Sequence, residues 1–392
     1  MSINGIISIF KKIDKDYIFL YILPLSLIFY ATLAELYGVN NIIVRLLLSS
    51  RMAALVVISL VGVYHTNKYC KTYLSDQAFI FSNYCFIITL INNGISFELV
   101  SAIGTIYFWP LTLWIAEKSS FKQINYEVSV WIITIVCILM SYYTIIGHII
   151  EFEYEDIDYA TVVGRFNSIY LVLSVFPFIF LISDKKSQVC ALILPILAFL
   201  ISQKTTCLLA ALSSVIYYYF SDIRHSSNML KIIISLFVGA FVLLYFGKDI
   251  FDINVILFDV QDDFNTGGNG RSEQYTLLWE HYIQNDVLRI VFGSGIFAVA
   301  RDTHLSAHND FLEILYDYGI TGFILFILFW KRLIQDRNTL PKGSNSRLVF
   351  NVSLIVYFCV CMASNFMIQQ IPMLFFALMW GNIKKYSQGT IR

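Results

Sequence analysis

Charged residues are scarce in this chain, and that scarcity argues against a soluble fold. Only 14% of the 392 residues are charged, while 58% are hydrophobic. A soluble domain carries about 25% charged residues. Basic and acidic residues balance to a net charge of zero, so no excess of positive charge predicts nucleic acid as a partner.

Other patterns are missing as well. The seven cysteines form no Cys-x-x-Cys pair, so they predict neither a disulfide framework nor a zinc site. Alternating segments typical of a membrane β-barrel do not occur. Lys11, Lys12 and Lys15 precede an apolar run that is too long for a signal peptide and has no small-residue cleavage site, so we expect no cleaved leader.

Long apolar runs dominate what remains. A helix needs about 20 apolar residues to cross a bilayer. The runs predict an all-α polytopic membrane protein with about twelve spans, at roughly 17–37, 42–64, 77–93, 97–116, 126–149, 161–182, 188–202, 205–220, 232–247, 310–330, 347–367 and 371–384.

The distribution of lysine and arginine predicts the orientation. Cytoplasmic loops of membrane proteins are enriched in both residues, and this places both termini in the cytoplasm. The one long loop, 248–309, is then extracytoplasmic, between 1–247 and 310–392. The cations off the cytoplasmic side are Arg45, Arg51, Arg165, Lys204, Lys248, Arg271, Arg289 and Arg301.

All of these except Lys248 are candidates for binding a lipid pyrophosphate, because arginine holds phosphate oxygens bidentately and keeps its charge. The alternative is that each pairs with a nearby carboxylate or reaches the interface. Within the loop, Arg271 begins a predicted amphipathic helix with Tyr275, Leu278 and Trp279 on its apolar side, suited to a membrane surface. Gly293-Ser294-Gly295 interrupts the chain after it.

A polar pair, His308-Asn309, follows the loop at the edge of the predicted tenth span. A histidine can accept a proton from a sugar hydroxyl at neutral pH, and Asn309 could orient it. Alternatively, Asn309 caps the following helix and His308 is a hydrogen-bonding interfacial residue. His304 lies four residues earlier, but no third ligand has suitable spacing, so we predict no metal site.

Two acids, Glu313 and Asp317, fall inside the predicted tenth span. Intramembrane acids are candidates for function, or they hold helices together by pairing with a cation such as Arg51 or Arg165. Gly319-x-x-Gly322 is typical of a close contact between helices.

These motifs together resemble the O-antigen ligase and O-antigen polymerase superfamily. The match comprises His308-Asn309, nine residues, then Gly319-x-x-Gly322, with Gly270-Arg271 and Gly293-x-Gly295 before it. Arg165-Phe166-Asn167 resembles a further family motif. Lys204 stands where the family usually has arginine.

The resemblance implies a metal-independent, inverting glycosyltransferase of GT-C-like fold in the bacterial inner membrane, active at the periplasmic face without a cofactor. It implies His308, Asn309 and Arg271 as catalytic residues. Arg165, Lys204 and Arg271, with Arg51 and Arg45 as second choices, would bind pyrophosphate, and the secondary site candidates are Glu313, Asp317 and Glu273. The expected partners are an undecaprenyl-pyrophosphate-linked oligosaccharide, membrane lipids and a chain-length regulator.

Lys204 and the Ala307–Leu315 run resemble polymerases, which extend the glycan on its lipid carrier, more than ligases, which transfer it to lipid A–core. A flippase for lipid-linked sugars also needs cationic cavities, but we find no related halves. A scaffold without catalysis explains the outer cations poorly.

Overall fold

The computed structural model describes residues 74–94, 97–118, 169–182, 184–201, 205–221, 271–304, 307–364 and 370–389. These residues are all helices and their connections. In chain order the α-helices are α1 Leu74–Asn93, α2 Phe97–Lys118, α3 Ile169–Val175, α4 Lys185–Ile201, α5 Thr205–Ser221, α6 Arg271–Gln284, α7 Val287–Phe292, α8 Ala298–Thr303, α9 Asp310–Thr339, α10 Asn345–Ala363 and α11 Gln370–Gly389. A 3₁₀ helix, Phe176–Leu181, continues α3.

The all-α prediction is confirmed for the described residues. Among them, α1, α9 and α10 are long and apolar enough to cross a membrane. The segment Ile169–Leu181 and parts of α4, α5 and α11 are shorter apolar helices. The number of spans stays a prediction. The spans predicted at 17–37, 42–64, 126–149 and 232–247 lie outside the described residues, as does 248–270 of the long loop.

Helices α1 and α2 form an antiparallel pair joined at the start of α1. There Glu117 of α2 accepts hydrogen bonds from the backbone amides of Leu74 and Ser75 at 3.1 and 3.3 Å, and from the Ser75 hydroxyl at 2.6 Å. The first amides of a helix have no partner within the helix, so this carboxylate satisfies them. Helix α11 then packs on α2 at Gly381, where a β-carbon would lie 2.5 Å from the Ala116 methyl.

Helix α9 is bent sharply at Gly319, whose φ of 64° and ψ of −172° are not helical. The Phe311 ring lies 5.6 Å from Phe326 and 6.5 Å from Trp330. In a straight helix, residues 311 and 330 would be roughly 28 Å apart. The short arm, 310–318, therefore folds back against the long arm, 320–339.

The helix predicted at 310–330 is present but bent at Gly319. Its first two turns, which carry Glu313 and Asp317, form the short arm, and this arm begins at the predicted boundary 309/310. The long arm alone has 20 residues, enough to cross about 30 Å of hydrocarbon.

Aromatic side chains join the long arm to α10 and α11. Trp330 stacks on Tyr357 at 4.9 Å, and Tyr357 meets Trp380 edge-on at 5.1 Å. Such pairs add about 0.5–1.5 kcal/mol each beyond area burial. Arg337 also donates to the Asn351 side chain at 2.6 Å, so α10 runs antiparallel to the long arm.

Candidate functional site

Asn309 caps the short arm of α9. Its Oδ1 accepts from the amides of Phe311 at 2.9 Å and Leu312 at 3.2 Å. Its Nδ2 donates to the Met362 carbonyl near the end of α10 at 3.5 Å. Glu313 reaches back to accept from the Ala307 amide at 3.1 Å, an arrangement similar to a capping box. Asn309 was predicted either to orient His308 or to cap the following helix, and the structure shows the cap.

His308 is exposed and lies between Ala307 and Asn309, which are both held by hydrogen bonds. Its φ of 47° lies in the left-handed region, which non-glycine residues seldom adopt and which is enriched at functional sites. The Tyr275 hydroxyl of α6 donates to the His308 carbonyl at 3.5 Å. The backbone is thus held on both sides while the imidazole is accessible.

Arg271 lies at the meeting point of several helix ends. It is the first residue of α6, and it acts electrostatically on Tyr170 at the start of α3. The Tyr170 hydroxyl forms side-chain hydrogen bonds with Ser364, after the end of α10, and Thr206, at the start of α5. Asn309 joins the same group through Met362. Five helices therefore present one end each around Arg271 and His308.

Four predicted phosphate-binding cations lie outside the described residues: Arg45, Arg51, Arg165 and Lys204.

Glu313 and Asp317 of the short arm accept hydrogen bonds from backbone amides rather than facing open solvent. Both carboxylates are buried. Asp317 accepts from the amides of Phe297 at 2.9 Å and Val299 at 3.1 Å, and so caps the N-terminus of α8. Glu273, the third secondary candidate, is exposed in the first turn of α6. The proposed pairing of the acids with Arg51 or Arg165 involves residues outside the described part.

A small cavity of about 30 Å³ lies between the short arm and helices α1 and α2. Its polar lining includes Ser82, Thr105, Asp310, Glu313 and Asp317. One water needs about 10–15 Å³ of such volume, so the cavity has room for about two waters beside the acids.

The two glycine motifs of the sequence contact each other. Gly293 and Gly319 both have positive φ, 89° and 64°. A β-carbon on Gly293 would lie 2.3 Å from the Asp317 carbonyl oxygen, and one on Gly319 would lie 2.6 Å from the Val291 backbone. The amides of Ser294 and Gly295 donate to that same Asp317 carbonyl at 2.9 and 2.8 Å.

The predicted close approach at Gly319-x-x-Gly322 therefore exists, but its two glycines have different partners. Gly319 meets the loop backbone at Val291, whereas a β-carbon on Gly322 would lie 3.2 Å from the ring of Tyr84 in α1. The Tyr84 hydroxyl reaches the carbonyls of Phe292 at 2.9 Å and Tyr318 at 3.1 Å. These contacts of Gly293, Gly319 and Tyr84, together called the lock, fix the long loop to α1 and α9.

Sequence reasoning missed the tyrosines that organise the site. Tyr84 and Tyr170 fall within predicted spans and Tyr282 within the predicted long loop, and none of them was a candidate site residue. Tyr282 donates to the Ile290 carbonyl at 2.9 Å, and burial raises the pKa of its hydroxyl. The spacing of Tyr275, Leu278 and Tyr282 along one face of α6 was the available signal.

No group of three or more His, Cys, Asp or Glu residues suited to a metal occurs within the described ranges. His304 ends α8 with a φ of 57°.

The sequence of this region was compared with models of protein families. The family described as O-antigen ligase matches residues 190–327. The chain contains a domain of the O-antigen ligase family. Members of this family are membrane enzymes that transfer glycans. The matched range includes Arg271, His308, Asn309 and both glycine motifs. A search of curated proteins finds no matching relative.

Proposed function

We propose that this O-antigen ligase family protein is an O-antigen polymerase. It would transfer the growing glycan from undecaprenyl pyrophosphate to a sugar hydroxyl of an incoming lipid-linked repeat unit. The observation that carries the proposal is the meeting of five helix ends around Arg271 and the exposed His308. The choice of polymerase rests on the resemblance of Lys204 and the Ala307–Leu315 run to polymerases.

The proposed chemistry is a single in-line displacement. The acceptor oxygen forms a bond to the anomeric carbon of the donor while the bond from that carbon to the pyrophosphate oxygen breaks, which inverts the configuration. The acceptor proton passes to His308, and the pyrophosphate leaves with the bonding electron pair. A base of suitable pKa at hydrogen-bonding distance typically contributes 10²–10⁴-fold.

Cations stabilise the charge that develops on the leaving pyrophosphate. Arg271 is the candidate within the described residues, Arg165 and Lys204 are proposed as further pyrophosphate ligands, and Arg45 and Arg51 are second choices. Asn309 contributes by fixing the backbone that presents His308. Glu313, Asp317 and the lock at Gly293 and Gly319 position this backbone further. No step requires a metal.

The proposed location is the bacterial inner membrane with both termini in the cytoplasm and the site at the periplasmic face. The end of α1 at Asn93 then faces the periplasm, as do the starts of α5 and α9. A polyprenyl carrier would keep its tail in the bilayer and present its pyrophosphate to these helix ends.

The test is a deletion strain complemented with the wild-type gene or with variants. We expect His308→Ala and Arg271→Ala to leave lipid A–core carrying a single repeat unit. Matched controls are His304→Ala and Arg289→Ala, which change the same residue types in the same loop and should restore the ladder of chain lengths. Wild-type ladders from the site variants would refute the site.

The deletion strain itself separates the alternatives. Lipid A–core with one repeat unit indicates a polymerase. Bare core with polymer accumulating on the carrier would indicate a ligase, the second candidate within the family. Absence of any periplasmic repeat unit would indicate a flippase and would contradict glycan transfer altogether.

A further inference from the structure

The chain at 292–296, where helix α7 (Val287–Phe292) ends and the loop continues, lies along the half of α1 that ends at Asn93. The Phe292 carbonyl accepts a hydrogen bond from the Tyr84 hydroxyl at 2.9 Å, and the Gly293 carbonyl accepts one from the Asn92 side chain at 3.5 Å. The Ile296 amide donates to Thr89 at 3.2 Å. The chain therefore contacts α1 from its middle to its last turn.

The depth of this contact follows from the length of α1. Its 20 residues span roughly 30 Å, about the thickness of the hydrocarbon core. Tyr84 is then near the bilayer midplane and Asn92 near one boundary. Phe292, held between them, lies within the hydrocarbon depth of that leaflet rather than above it.

The exposed surface of α7 is apolar. Val287 is 74% exposed, Leu288 70% and Phe292 43%. Leu288 and Phe292 are four residues apart and share one face of α7, and Val287 precedes them in its first turn. On the preceding helix, Ile283 is also exposed, at 53%. An apolar surface of this kind marks an interaction site with protein or membrane.

The apolar face of α7 adjoins two surfaces that are themselves lipid-facing. On α1, Ile87 and Ile91 are exposed and lie on the side of Tyr84. On the long arm of α9, exposed apolar residues begin at Ile320, directly after the Gly319 contact with Val291. The continuity of these surfaces identifies one occupant for all three, the acyl chains of the bilayer.

The charged residues of this segment are compatible with that position. Asp286 caps α7 by accepting from the Arg289 amide at 3.0 Å. The two side chains also pair at 3.6 Å. Ionisable residues at membranes usually pair with one another, and a long arginine side chain can extend to the headgroups.

We propose that the long loop re-enters the membrane, and that Val287, Leu288 and Phe292 insert among the acyl chains of the outer leaflet. The loop is then anchored in lipid as well as fastened to α1 and α9. Tyr282 links this anchor to α6 through the Ile290 carbonyl, so the bilayer helps to set the position of the helix that begins at Arg271.

Photocrosslinking of the full-length protein in nanodiscs tests the insertion. Leu288→p-benzoylphenylalanine is compared with Glu280→p-benzoylphenylalanine, an exposed polar position on α6, using phospholipid radiolabelled in its acyl chains. We expect several-fold more lipid label at 288 than at 280 after illumination. The same substitution at Phe292 provides a second position on the apolar face.

Equal labelling at 288 and 280 would overturn the proposal. In native membranes, a crosslink from 288 to a second copy of this chain or to another protein, without lipid adduct, would overturn it as well, because the apolar face would then be a protein interface.

Discussion

Replacing Gly319 with alanine tests whether the lock between the long loop and α9 positions the site. Two costs combine at this residue. Its φ of 64° and ψ of −172° fall in a region open almost only to glycine, which costs roughly 1–3 kcal/mol for another residue. The added methyl would also lie 2.6 Å from the backbone of Val291 and Gly293, and such overlap costs about 1–3 kcal/mol.

The sum is a loss of roughly 2–6 kcal/mol of unfolding free energy, measured in nanodiscs or mixed micelles. Because backbone atoms cannot swing away as a flexible side chain can, we expect the loop to separate from α9. Glycan transfer should fall with it, since Asp317, Phe297 and Val299 are held through the same contact.

Gly343→Ala is the matched control. Gly343 also has a positive φ, 76°, but nothing lies within 4 Å of its β-carbon position. It therefore carries the backbone strain without the overlap, and we expect a loss of roughly 1–2 kcal/mol with activity retained. If the Gly319 and Gly343 variants lose equal stability and both retain transfer, the close approach does not position the site.

Three further predictions concern two single contacts and the independence of glycan transfer from metal ions. Tyr84→Phe removes the hydroxyl shared by Phe292 and Tyr318. We expect a loss of about 1 kcal/mol and faster hydrogen exchange at residues 292–297, and unchanged exchange there would contradict the lock. Asn309→Ala should cost about 1 kcal/mol and lower glycan transfer, whereas Asn309→Asp keeps a capping oxygen and should retain transfer. An inactive aspartate variant of normal stability would show that the amide does more than cap. EDTA should leave transfer by the purified protein intact, and loss that a divalent ion restores would disprove the metal-free mechanism.

Hydropathy predicted the described helices well, because an apolar run long enough to span or enter a membrane leaves the backbone little choice but a helix. The run predicted at 205–220 is Thr205–Ser221 in the structure, and that at 97–116 is Phe97–Lys118. The fold-back of α9 could not be predicted in this way. The apolar pattern continues across Gly319, and the bend depends on docking of the backbone at 291–293.

The catalytic roles of the candidate site stay predictions. His308 and Asn309 stand out as a polar pair at the edge of a predicted span, and Arg271 was selected as one of the outer cations and through the family resemblance. Glu313 and Asp317 were predicted either to be functional or to pair with a cation. In the structure their carboxylates accept hydrogen bonds from the amides of Ala307, Phe297 and Val299, partners that precede them in the chain and approach only after the loop has folded.

The sequence by itself determined that this is a helical membrane protein, roughly where its long apolar helices lie, and which motifs relate it to O-antigen ligases. Those properties follow from the local cost of exposing polar backbone to lipid and from residues close together in the chain. Only the tertiary structure decided how those residues are used. It brings Gly293 to Gly319, Tyr275 to His308 and Tyr170 to Thr206 and Ser364. Such contacts join segments tens to hundreds of residues apart, and their geometry depends on packing that no local pattern encodes.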